Sequence, residues 1–111
     1  MKPPVTLLAF AVVAALARPA APQVTIKTFA FGPKSLVVPV GTTVRWTNAD
    51  EIEHTVTSGL PDQPDGGFDH VLATKGAAAS VRFDSVGTWS YFCKRHSFMR
   101  GEIRVTPKGE R

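Results

Sequence analysis

Apolar and polar residues alternate with a period of two along most of the chain. Val24-Thr25-Ile26, Val44-Arg45-Trp46, Val81-Arg82-Phe83 and Ile103-Arg104-Val105 each put apolar side chains on one face and a polar one on the other, the pattern of a half-buried strand. Ser35 to Val40 is a β-branched run closed by Pro39 and Gly41, Thr55-Val56-Thr57 is another, and Gly87 to Phe92 reads as a further strand. Gly and Pro steps separate these runs at intervals of roughly 8–12 residues, the spacing of a sandwich or barrel. Leu72 to Ala79 alone invites a helix, but Gly76 weakens it, and the segment is read as a turn into a strand. Leu60 to Gly67 (LPDQPDGG) carries two prolines and two glycines and is expected to be an exposed loop. Trp46 and Trp89 fall on strands and are expected in the core. The fold class that follows is all-β: a Greek-key antiparallel β-sandwich of about seven to eight strands.

The alternation is absent at the N-terminus. Met1-Lys2 gives a short basic start, Val5 to Ala17 is a thirteen-residue apolar run, and Ala15-Leu16-Ala17 fits a small-x-small cleavage site. These are the parts of a secretory signal peptide, and the run is too short to cross a hydrocarbon core of roughly 30 Å. The expected organisation is a signal peptide over 1–17, an extended lead-in over 18–22, one domain over 23–107 and a tail over 108–111. Removal of the signal leaves 94 residues, enough for a single domain. No cysteine follows the run, so no lipid anchor and no stable membrane attachment are expected. Export points to a bacterial periplasm.

Charge excludes one class of partner. The formal net charge is +4, and +3 once Lys2 has left, with no basic run longer than Lys94-Arg95. Nucleic-acid binding calls for a basic stripe or interleaved aromatics, and neither is present. Cysteine usage is more telling. Cys93 is the only cysteine, so no internal disulfide can form, and a lone thiol in an exported chain implies intermolecular pairing, reactivity or a metal.

The surroundings of Cys93 decide for the metal. In Cys93-Lys94-Arg95-His96-Ser97-Phe98-Met99 the thiol shares a short loop with one of three histidines and with the only methionine besides Met1. Thiolate, imidazoles and a weak axial thioether are the ligand set of a blue-copper electron-transfer centre. The second imidazole comes from His54 or His70; His54 is favoured because it begins a clean β-branched strand. A Cys-His nucleophilic pair three residues apart in one loop is not expected, and three histidines cannot furnish the further copper sites of an oxidase. The reading is not an enzyme.

Three segments carry a family resemblance: Trp46-Thr47-Asn48…His54-Thr55-Val56, Gly87-Thr88-Trp89-Ser90-Tyr91-Phe92-Cys93, and His96…Met99-Arg100-Gly101. Together they resemble the cupredoxins, specifically the small amicyanin and plastocyanin-like group, over about Val24 to Val105. The resemblance implies one copper ion held by His54, Cys93, His96 and Met99, and removes His70. It also implies a monomeric shuttle cycling Cu(II)/Cu(I) between a redox protein donor and acceptor; copper sequestration or delivery is the alternative.

Several positions depart from the pattern. Thr55 stands where Asn often ties the ligand loops together, and Glu53, Ser97 and Arg95 stand where prolines are common beside the two histidines. Each replaced proline returns a backbone N–H, and the Arg95 N–H is expected to donate to the Cys93 sulfur. Lys94, Arg95 and Arg100 bracket His96, while Asp50, Glu51 and Glu53 approach His54. Two oppositely charged rims are therefore expected, with partner docking near His96 at Lys94, Arg95 and Arg100.

Overall fold

The computed structural model describes residues 21–109; the signal-peptide expectation over 1–17 lies outside the described residues. Nine strands form two sheets: β1 (Gln23–Lys27), β2 (Ala30–Gly32), β3 (Ser35–Pro39), β4 (Thr42–Asn48), β5 (His54–Leu60), β6 (Gln63–Leu72), β7 (Ala78–Phe83), β8 (Gly87–Phe92) and β9 (Arg100–Thr106). One sheet has the order β2-β1-β4-β7 and the other β3-β9-β8-β5-β6. The chain passes repeatedly from one sheet to the other, so β1 pairs with β4, and β3 with β9, in parallel. The remaining ladders are antiparallel. The sandwich expected from sequence is thus present, with two parallel pairs that alternation alone cannot show.

Period-two burial builds the core. Val24 and Ile26 from β1, Val44 and Trp46 from β4, and Ile103 and Val105 from β9 all point inward and are buried. Tyr91 meets Trp46 edge to face, with ring centroids 5.2 Å apart, and burial pushes its hydroxyl up to about 12. Gly101 faces Tyr91 across the β8–β9 ladder. A Cβ there would collide with the Cζ and hydroxyl end of the Tyr91 ring, so this position needs glycine for a close approach. Trp89 is only half-buried, at the margin of the core, and its indole N–H reaches Ser85 O at 3.4 Å. Cys93 and Met99 extend the same apolar cluster at one end of the sandwich.

Two sequence expectations change. The segment 60–67 is exposed, but it is not a loop: only Pro61-Asp62 turn, and β6 already begins at Gln63. Pro64 is tolerated because β6 is an edge strand, where a missing N–H removes no ladder bond. Gly59 makes the hairpin possible, at φ +101° with the Asp65 N and Gln63 O atoms 2.6 Å from where a Cβ would sit. The strand count also exceeds expectation, because β2 has only three residues, too few to show a period. Leu72 to Ala79 runs as predicted, from the end of β6 through a turn into β7.

Candidate metal centre

The four candidate residues gather at the end of the sandwich where β5 begins and β8 ends. His54 opens β5, Cys93 follows β8, and His96 and Met99 lie in the connection to β9. His54 and Cys93 are 0% exposed and Met99 2%. The connection is a tight turn: Met99 N donates to His96 O at 2.8 Å, and Cys93 N to Met99 O at 3.1 Å. The three-residue spacings therefore bring Cys93, His96 and Met99 back on themselves.

Cys93 Sγ lies 3.8 Å from His54 Nδ1. Sulfur and nitrogen donors bonded to one tetrahedral ion at about 2.3 and 2.0 Å are about 3.5 Å apart, so the pair fits a shared metal. The His96 imidazole stands beside it, its ring centroid 5.3 Å from that of His54, with a buried Nε2 that has no hydrogen-bond partner. Buried polar nitrogens are normally partnered, and a ligand at this site would satisfy the ring. Among the described residues no three His, Cys, Asp or Glu side chains converge as a ready-made cluster; the arrangement is a thiol–imidazole pair, a second imidazole and a buried thioether. That donor set suits copper. His70 sits on β6 opposite Val56, so His54 and not His70 is brought to the sulfur.

Asp50 orients His54, a role that no spacing announced. Its Oδ2 pairs with His54 Nε2 at 2.9 Å; a carboxylate accepts, so Nε2 carries a proton, and Nδ1 is the ring nitrogen on the Sγ side. The same carboxylate accepts the amides of Thr28 at 2.7 Å and Phe29 at 3.0 Å. Burial works against its charge, but those amides and His54 hold the carboxyl below its ordinary value. Thr28 and Phe29 adopt φ of 52° and 57°, a left-handed pair that is rare outside glycine and asparagine. This turn seats the Phe29 ring edge-on against both His54 and His96, with centroids at 5.6 and 5.0 Å. Asn48, 0% exposed, anchors the intervening segment through Ile52 O and Leu72 O, and accepts the Asp50 amide at 2.8 Å.

The sulfur's backbone donor corrects one expectation. Thr55 N donates to Cys93 Sγ at 3.3 Å, and among the described residues no such bond comes from the Arg95 N–H. His54 and Thr55 begin a strand that runs directly past the thiol, whereas the backbone at Arg95 has already turned toward the His96–Met99 bend. The charges expected to form two opposed rims are partly paired within the chain. Arg95 pairs with Glu53 at 2.7 Å and Lys94 with Asp69 at 2.6 Å, while Arg100 bonds Ser97 O at 3.2 Å. Charges at positions where prolines are common thus cross-link the two ligand loops. Around them Phe98 and Phe29 are 71% and 41% exposed, leaving an apolar rim beside His96.

Residues 20–106 match the model of the copper binding proteins of the plastocyanin/azurin family. Amicyanin of Paracoccus versutus is 32% identical over 84 residues, covering 76% of this chain and 54% of that protein. Plastocyanin of Scenedesmus fuscus is 31% identical over 83 residues, covering 68% of this chain and 85% of that protein. The chain thus spans about half the length of the Paracoccus amicyanin it matches. Among solved structures, a purple cupredoxin from Nitrosopumilus maritimus aligns with a TM-score of 0.71 at 26% identity, covering 77% of this chain and 99% of that one. A Cu(I) form of an amicyanin variant aligns with a TM-score of 0.70 at 30% identity, covering 84% and 89%. With a copper-fitting donor set at the end of a matching sandwich, this chain belongs to the plastocyanin/azurin family of copper-binding cupredoxins.

Proposed function

We propose that this protein is an exported, mononuclear type 1 copper protein that shuttles single electrons between a donor and an acceptor redox protein. His54, Cys93, His96 and Met99 hold the ion. The observation that carries this reading is the 3.8 Å approach of Cys93 Sγ to His54 Nδ1 with the His96 imidazole alongside. When bound, the copper supplies one-electron Cu(II)/Cu(I) chemistry; no substrate is transformed. The chain's own contribution is geometric. Asp50 and Thr55 orient a nitrogen and a sulfur before any ion arrives, and the buried His54, Cys93 and Met99 exclude water. Such burial suits retention better than delivery of the metal.

Partners dock around His96, where the Phe29 and Phe98 rims bring another protein close to a ligand ring. Lys94, Arg95 and Arg100 lie at the periphery, and the first two are already paired within the chain. Steering by them is weaker than their formal charge suggests, since exposed pairs are screened and partly neutralised. Export to a periplasm rests on the apolar run Val5 to Ala17 and on the single, metal-suited cysteine.

The test is a Cu(II) titration of metal-free residues 18–111 followed by visible absorption. An intense thiolate-to-copper band that saturates at one equivalent and bleaches with ascorbate is expected. A pale product, or oxidation of the thiol in place of copper uptake, would overturn the reading.

A further inference from the structure

Behind the Cys93 sulfur lies a closed set of polar contacts that copper ligation does not itself require. Thr55 and Thr57 are 3% and 4% exposed. Two residues apart on β5, they share a face, and their hydroxyl oxygens are 2.9 Å apart. Thr57 Oγ1 donates to Asp69 Oδ1 at 2.9 Å. An ionised carboxylate can only accept and a hydroxyl has one proton, so Thr57 must in turn accept from Thr55. The Thr55 oxygen then faces the backbone N–H of Lys94, which donates to it at 2.8 Å. The other Asp69 oxygen takes the Lys94 ammonium at 2.6 Å. That ammonium, and after it the Thr57 hydroxyl, keep the Asp69 carboxyl below its ordinary value despite some desolvation.

The path therefore starts and ends on one residue. From the Lys94 amide it runs through Thr55, Thr57 and Asp69 to the Lys94 side chain. Its donors point one way round as far as the carboxylate, so each bond polarises the next. Both flanks of the sulfur are fixed by it: Thr55, whose own N–H donates to Sγ at 3.3 Å, and Lys94, the residue after Cys93.

We propose that Thr57 and Asp69 are positioning residues for the Cys93 thiolate, acting through Thr55 and Lys94 to hold the Thr55 N–H against the sulfur. This rests on the copper-site reading above. An N–H bond to sulfur favours the state with more charge on the thiolate, which is the reduced state. Loosening the ring must then move the redox equilibrium toward Cu(II).

Thr57→Val tests this without changing any charge. A hydrogen bond of this kind contributes about 1 kcal/mol in either redox state and only the difference between the two moves the equilibrium, so a shift toward Cu(II) of up to about fivefold is expected. The thiolate-to-copper band should move with it. In the metal-free variant the Thr55 amide should exchange its proton faster than in the parent, and Thr57→Ser should restore all three readouts. Should Thr57→Val not fold, the pair Asp69→Ala with Lys94→Met serves instead. Both residues are 48% exposed, the net charge is unchanged, and the same direction of shift is expected. A folded variant that binds copper with the parent potential and band overturns the proposal, even if Thr55 exchange quickens, because the ring would then be structural only. A parent protein that forms no thiolate-to-copper band overturns the copper-site reading instead; the ring proposal, being built on it, falls too.

Discussion

At the scale of single residues, one carboxylate does several things at once. Asp50 accepts two strained amides and the His54 imidazole, so Asp50→Ala leaves three donors without their partner. A loss of about 1–3 kcal/mol is expected, read as a lower urea midpoint of the metal-free protein. Gly101 is a second sensitive position. Gly101→Ala drives a methyl into the Tyr91 ring, and overpacking of this kind costs about 1–3 kcal/mol, measured the same way. The sequence made Cys93, His96 and Met99 legible because three rare residue types share one turn of chain. It ranked His54 above His70 first by strand pattern and then through the family resemblance, since the interval from His54 to Cys93 has no fixed chemical meaning. Asp50 was legible only as one of three acids near His54, not as its hydrogen-bond partner, and the roles of Thr57 and Asp69 were not legible at all. Aspartates and threonines are common, and only pairing across β5 and β6 reveals what these touch.

At the scale of elements, β5 joins two ends of different character. His54 starts it at the metal centre, and the Gly59 bulge and Pro61-Asp62 turn finish it at the far end. Six residues of strand separate these by about 20 Å. Gly59→Ala should therefore disturb the hairpin, where a Cβ meets backbone 2.6 Å away, and lower the unfolding midpoint. The copper absorption band should stay where it is; a displaced band would show that strain travels along β5. Strands with clean alternation, such as β1, β4 and β9, were readable because one face is buried and one is wet. The first half of β6 was not. Its residues from Gln63 to Gly67 are all exposed, so no period marks them, and Pro and Gly there signal an edge strand as well as a loop.

At the scale of the whole molecule, acid is the condition that tests the charges together. Asp65 is held below its ordinary value, chiefly by the Ser58 hydroxyl and then by the Gly67 amide, and Asp69 chiefly by Lys94. A carboxyl whose folded value lies below its unfolded one stabilises the fold above the unfolded value, and that contribution disappears as pH falls through the folded one. Stability of the metal-free protein should therefore show no loss from these groups down to about pH 4 and decline below it, as followed by urea unfolding at stepped pH. Asp65→Asn should flatten that decline. The β1–β2 turn has a last consequence, for anyone reshaping this protein. Its two left-handed residues carry unequal duties: the Thr28 side chain is exposed, while the Phe29 ring covers both imidazoles. Glycine would relax the backbone at either position. At 28 that relaxation comes free of any change at the metal, whereas at 29 a sturdier scaffold would come with an uncovered centre. Robustness and insulation can thus be tuned one residue apart.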